Sequence, residues 1–178
     1  ALSYDVLASN LLDGHGLQKW DYQGLFTDQS RALIVTSFRP PLLPVLLAGV
    51  YALAGHHFWV ARALVALMGA ATCVVVMRMA RALFGSGVAA VSGLLMALYP
   101  KLIYYGGMIA TETPYTLLLT LAMSLLLAAQ RAERGLWRWP VAGVLLGLAT
   151  LCRSALLAFP ALAAVWCLLV RERKGRAV

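Results

Sequence analysis

Residues 113–131 read TPYTLLLTLAMSLLLAAQR, an apolar run that carries no charge until Arg131. A run of that length matches the hydrocarbon thickness of a bilayer when coiled as an α-helix. Immediately before it stands Glu112, the one acidic residue between Asp28 and Glu133. A carboxylate beside a membrane span is costly to keep and is usually tied to function. The preceding residues, Gly106-Gly107-Met108-Ile109-Ala110-Thr111, read as the entrance to a helix and not as its middle.

The rest of the chain repeats this pattern. Its 178 residues are 62% hydrophobic and 12% charged, outside the range of ordinary soluble domains. Apolar residues fall in long blocks, so the expected class is all-α, a polytopic transmembrane helical bundle. Spans are expected near 58–83, 87–105 and 113–131, with two shorter apolar segments at 139–152 and 155–170. Residues 42–55 are too short to span alone and read as an interfacial or re-entrant helix. The domain division is therefore an outer loop with an interfacial helix over 1–41, and a transmembrane region over 42–178. That region holds about five spanning or half-spanning helices after the interfacial one.

The outer loop is wet. Tyr4 to Leu12 spaces its apolar residues as an amphipathic juxtamembrane helix, with Asp5 and Asn10 on the polar face. Asp13-Gly14-His15-Gly16 then stops it. Cys73, Cys152 and Cys167 lie in apolar segments without ligand or pairing spacing and read as small buried hydrophobes. The histidines likewise lack metal-ligand spacing.

Charge sets an orientation. Arg78, Arg81, Arg131, Arg134, Arg138, Arg171, Arg173, Lys174 and Arg176 fall on one side with Glu133 and Glu172, a net of +7. Lys19, Arg31, Arg39, Arg62, Lys101 and Arg153 fall on the other with Asp5, Asp13, Asp21, Asp28 and Glu112, a net of +1. These sum to the chain's +8. The basic side is expected to be cytoplasmic, which places Glu112 outside. The positive charge then reports topology, and no nucleic-acid partner is needed to explain it.

The outward side gathers the candidate chemistry. Arg39 is followed by Pro40, Pro41 and Pro44, which stiffen the backbone and hold the guanidinium in one place. Its fork of donors suits phosphate, and the plainer alternative is an elbow that snorkels to headgroups. Lys101 lies in Tyr99-Pro100-Lys101-Leu102-Ile103-Tyr104-Tyr105, one short loop before Glu112, and Arg153 interrupts two apolar segments. With Arg39 at the same depth, these make an electropositive pocket with a carboxylate in it. Such a pocket suits a phosphate-bearing lipid and a base acting on a hydroxyl or amine. Gly143 and Gly147, at helical spacing, suggest close helix packing.

Several ordered motifs carry a family resemblance. Tyr4-Asp5-Val6-Leu7-Ala8, Asn10-Leu11-Leu12-Asp13-Gly14-His15-Gly16 and Ser37-Phe38-Arg39-Pro40-Pro41 with Pro44 come first. Arg62, Arg81-Ala82-Leu83-Phe84-Gly85, Tyr99-Pro100, Thr111-Glu112 and Leu151-Cys152-Arg153 follow in order. The series resembles bacterial GT-C glycosyltransferases, in the group that includes protein mannosyltransferases and the aminoarabinose transferase of lipid A. The resemblance implies a polyprenyl-phosphate-linked sugar as donor, and a lipid, protein or glycan as acceptor. Transfer would occur on the non-cytoplasmic face of a bacterial inner membrane, amid membrane lipids. Some relatives use a divalent metal ion; no residue pattern here requires one. Carried over, Glu112 and Asp5 become the catalytic candidates, and Arg39, Lys101, Arg153 and Tyr4 the donor-phosphate or substrate-binding ones.

One departure stands out. The family's main aspartate precedes the tyrosine matched by Tyr4, and Ala1-Leu2-Ser3 contains no acid. The sequence is therefore expected to be an amino-terminal fragment, inactive alone, with Asp5 its nearest carboxylate. The rival class is a transporter or lipid flippase, which should carry polar residues through the centres of several spans. Those centres are almost bare of charge here. A noncatalytic assembly subunit is a second rival, and the ordered outer motifs argue against it.

Overall fold

The protein is described by a computed structural model that covers residues 2–20, 33–35, 39–131 and 136–153, with the single positions Leu162 and Trp166. Apart from Leu162 and Trp166, the expected segment at 155–170 lies outside the described residues, as do the loop acids Asp21 and Asp28 and the basic tail from Arg171 to Arg176.

The described chain is a helical membrane protein. Its helices are α1 (Leu2–Leu12), α2 (Leu42–Ala54), α3 (Phe58–Phe84), α4 (Ser86–Leu98), α5 (Pro100–Gly106), α6 (Glu112–Arg131) and α7 (Arg138–Cys152). Between α1 and α2, β1 (Gln18–Trp20) pairs antiparallel with β2 (Leu33–Val35), with Lys19 opposite Ile34. This two-stranded ladder was not anticipated, because three-residue strands carry too little alternation to register as a pattern.

Among the described residues two helices, α3 and α6, are long and apolar enough to cross a membrane, and the bent pair α4–α5 adds a third when its two halves are counted as one span. The span expected at 87–105 is thus not straight: α4 and α5 meet at 57°. Pro100 explains the break. It removes a backbone N–H from the ladder and pushes the preceding residue out of the α region, and Tyr99 sits at φ −68°, ψ 114°. The same proline then opens α5, where its missing N–H costs nothing.

Tight turns set the topology. Only Gly85 separates α3 from α4, and its φ of 91° with ψ near 180° is a conformation open to glycine alone. The bundle therefore runs down α3, back through α4 and α5, down α6 and back up α7. One end collects the starts of α3 and α6 with the finishes of α5 and α7. The other collects the finishes of α3 and α6 and the start of α7.

Two buried clusters hold these elements. Tyr4 and Ala8 of α1, Leu43, Leu47, Ala48 and Tyr51 of α2, Ala61 of α3 and Ile109 form the first. The second joins Ala122 and Leu126 of α6 to Ala142 and Leu146 of α7. Outside them, large apolar side chains face outward. Trp59, Leu67 and Phe84 are each 69% exposed, and Leu94, Leu95 and Leu98 more than 60%. In water such a surface would drive aggregation; against lipid tails it is the natural covering.

The expectation for Gly143 and Gly147 is corrected. Both are exposed, and among the described residues a Cβ added at either meets nothing within 4 Å. The α6 contact is made instead by Ala142 and Leu146, which with Ala149 are buried on another face of α7. Close approach falls at Gly93 of α4, where an added Cβ would lie 3.0 Å from Met77 Sδ of α3. Gly93→Leu is therefore expected to destabilise the α3–α4 pair by about 1–3 kcal/mol through overpacking. Gly143→Leu should be neutral or slightly stabilising. Thermal unfolding of both variants in detergent checks the contrast, and equal shifts would refute it.

Candidate functional site

The end of the bundle that bears Glu112 is assembled from six elements. The chain leaves α5, passes Gly107 and Met108, and buries Ile109 in the cluster shared by α1, α2 and α3. It then turns at Thr111, whose carbonyl accepts the Tyr115 N–H at 3.1 Å, and enters α6 at Glu112. Thr113 is buried, donates its hydroxyl to the Tyr105 carbonyl at 3.2 Å, and sets its methyl against Gly69 of α3. Glu112 is thereby held by a rigid helix start between two buried threonines, Thr111 and Thr113. An acid in the first turn also complements the positive end of the helix dipole.

Across from it, α7 ends at Cys152, and Arg153 adopts an extended backbone as the helix cap. Its Nη1 lies 3.9 Å from Glu112 Oε1. That separation is a charge contact and too long for a hydrogen bond. Both side chains keep solvent access, at 53% for Arg153 and 35% for Glu112. An exposed pair of this kind is worth about 0–1 kcal/mol, so neither group is committed to the other. A phosphate oxygen, or a hydroxyl with a proton to share, can displace either partner.

A second constellation involves α1. Tyr51 donates its hydroxyl to Asp5 Oδ1 at 2.6 Å, and His56 Nε2 lies 3.2 Å from the same oxygen. The Tyr51 and His56 rings meet edge-on at 4.7 Å. Burial, followed by the hydrogen bond to Asp5 and the Asp5 charge, raises the Tyr51 phenol above its ordinary range. It stays a proton donor to the carboxylate at any physiological pH. Tyr51 belongs to α2, which is too short to span a membrane, so this is a joint between α1 and the turn leading into α3.

The candidates therefore divide. Glu112 and Arg153 come together. Arg39 lies with its guanidinium 5.1 Å from the centre of the Tyr4 ring, a cation–π contact that pins the elbow before α2 to α1. Tyr4 itself is only 6% exposed, with its ring given to packing. Asp5 turns toward α2 and the turn before α3. Lys101 is exposed on α5, and no described residue pairs with it.

Tyr51 and His56 escaped the sequence reading as members of the site. They meet Asp5 across 46 and 51 residues, and no local spacing encodes that. The only hint was that a carboxylate on a short apolar-faced helix needs a donor.

The described carboxylates do not form a site for a divalent metal. Among the described residues no three of His, Cys, Asp or Glu converge. Asp5 supplies one carboxylate beside a neutral phenol donor, and Glu112 faces a guanidinium that would repel a cation.

No curated protein and no solved structure gives a significant match to the chain. The dolichyl-phosphate-mannose-protein mannosyltransferase family, however, matches it over residues 38–177. That interval includes Arg39, the bent α4–α5 pair, the Glu112–Arg153 contact and every described helix after α1. The chain belongs to this family of GT-C-type membrane glycosyltransferases.

Proposed function

We propose that the Glu112–Arg153 end of the bundle serves transfer of a sugar from a polyprenyl-phosphate-linked donor to a lipid, protein or glycan acceptor. The observation that carries this reading is the loose Glu112–Arg153 pair, held at a helix start and a helix end and open to solvent. Breaking the bond between the sugar C1 and the phosphate oxygen leaves negative charge on the phosphate. Arg153, with Lys101 on the neighbouring α5 and Arg39 at the elbow, neutralises that charge as it develops. Released from Arg153, Glu112 accepts a hydrogen bond from the acceptor hydroxyl or amine, orients it toward C1 and takes its proton as the bond to C1 forms. Asp5 acts at one remove: through Tyr51 and His56 it fixes α1 against α2 and so sets the elbow that carries Arg39.

Sidedness follows from the same reading. The end with Glu112 faces the periplasm or exterior of a bacterial inner membrane, and residues 1–41 form its outer loop, with 42–178 as the membrane region. The described spans keep their charges at their ends, as surface chemistry needs and a translocation path does not.

The test is an assay of the full-length enzyme, reconstituted in membrane, with a polyprenyl-phosphate-linked sugar or the matching nucleotide sugar. Transfer is expected from the lipid-linked donor only. Direct use of the nucleotide sugar would overturn the reading, as would transfer that survives Glu112→Gln unchanged.

A further inference from the structure

The opposite end of the bundle carries its own cleft, of about 320 Å3, between α3, α6 and the start of α7. Met79 and Leu83 of α3 and Leu127 of α6 supply apolar walls, Ser124 adds a hydroxyl, and Arg78, Arg131 and Arg138 supply three guanidiniums. α6 separates this cleft from Glu112 by about 30 Å, the length of a twenty-residue helix. It is therefore not part of the site described above.

Two of the guanidiniums are already held in place. Arg131 Nη1 donates to the Ala82 carbonyl at 2.6 Å, and Arg138 Nη1 donates to the Ala128 carbonyl at 2.9 Å. Those carbonyls belong to the last turns of α3 and α6, where helix geometry leaves acceptors without intrahelical partners. Each arginine thus caps a helix end. It spends one of five N–H donors in doing so and keeps the others for a ligand. Arg78, from the turn of α3 above, is exposed and makes no such cap.

Electrostatics decides the sign of the ligand. Two helix carboxyl ends contribute about half a negative charge each. Three guanidiniums outweigh them, and no carboxylate lines the cleft among the described residues. The walls decide its form. A free anion has no use for Met79, Leu83 and Leu127, whereas a headgroup with acyl chains covers both the charges and the apolar surface. Phe84, 69% exposed beside Leu83, continues that apolar surface outward.

We propose that this cleft binds the phosphate headgroup of an anionic phospholipid. The lipid fastens the finishes of α3 and α6 to the start of α7 at the membrane surface. Phosphatidylglycerol has the right charge and length, and phosphatidylcholine of the same acyl chains is the neutral control.

Native mass spectrometry of the detergent-solubilised chain, titrated with either lipid, tests this. Phosphatidylglycerol is expected to bind at least about tenfold more tightly than phosphatidylcholine. Arg78→Gln should weaken it about fivefold. Ser124→Leu should weaken it comparably by filling the cleft without altering charge, and Arg62→Gln at the far end should leave it unchanged. Helix content by circular dichroism identifies any variant that misfolds, and Ser124→Leu then decides in place of Arg78→Gln. Equal retention of the two lipids would overturn the proposal, as would wild-type binding by folded Arg78→Gln or Ser124→Leu. Full competition by glycerol 3-phosphate at matched concentration would show that a free phosphate is the ligand, and the lipid proposal would fall.

Discussion

Arg153→Glu is expected to lower sugar transfer by the reconstituted full-length enzyme about 100-fold or more, with little change in thermal stability. In the role proposed for Arg153, the rate effect follows from removing a preorganised positive charge at the point where the leaving phosphate gains negative charge, a change typically worth a factor of 10²–10³. Reversal also places two carboxylates together, which repels the donor. The small stability effect follows from geometry. At 3.9 Å, with Arg153 53% exposed, the native pair with Glu112 contributes about 0–1 kcal/mol. Activity and stability should therefore separate.

The swap Glu112→Arg with Arg153→Glu sharpens the point. If the pair were only a structural tie, exchanging its ends would restore activity. If Arg153 meets the phosphate from the end of α7 and Glu112 the acceptor from the start of α6, the swapped enzyme stays inactive although its charges still pair. Recovery of transfer in the double variant would refute the assignment. A measured kcat and KM would also show whether the loss falls in turnover, as transition-state stabilisation requires, or in binding alone.

The division between what could and could not be read from the chain has a physical basis. Long apolar runs carry enough information to place α3 and α6, because bilayer thickness fixes span length independently of partners. Pro100 was visible in the sequence, yet residues 87–105 read as one span, since apolar content persists through the bend. Gly143 and Gly147 show the opposite failure. Small-residue spacing is necessary for close packing but does not say which face meets a neighbour; α7 turns Ala142, Leu146 and Ala149 inward instead. The Glu112–Arg153 contact was half legible: both are isolated charges in apolar surroundings, and alternating spans bring them to one end. Asp5 was the least legible. Its partners lie on another helix and the turn after it, where only tertiary structure joins them.

Asp5 carries the second large effect. Asp5→Ala is expected to destabilise the joint of α1 with α2 by about 1–3 kcal/mol, since it strands the hydroxyl of Tyr51, a residue 3% exposed and hydrogen-bonded to that carboxylate. It also releases His56. The loss should appear as faster hydrogen exchange across α1 and the turn at Gly55, with α6 and α7 unaffected, because those helices belong to the other buried cluster. Asp5→Asn separates structure from catalysis. An amide oxygen still accepts from the Tyr51 hydroxyl, so the joint is kept while the negative charge is lost. A positioning role predicts that Asp5→Asn retains most transfer activity and that Tyr51→Phe, which removes the donor, loosens α1 to a smaller degree than Asp5→Ala. A carboxylate acting directly as a base predicts the reverse: Asp5→Asn inactive with α1 fully protected, and Tyr51→Phe active. The Asp5 geometry favours the first pattern, since Oδ1 is already taken by Tyr51 and His56 and the side chain is only 14% exposed.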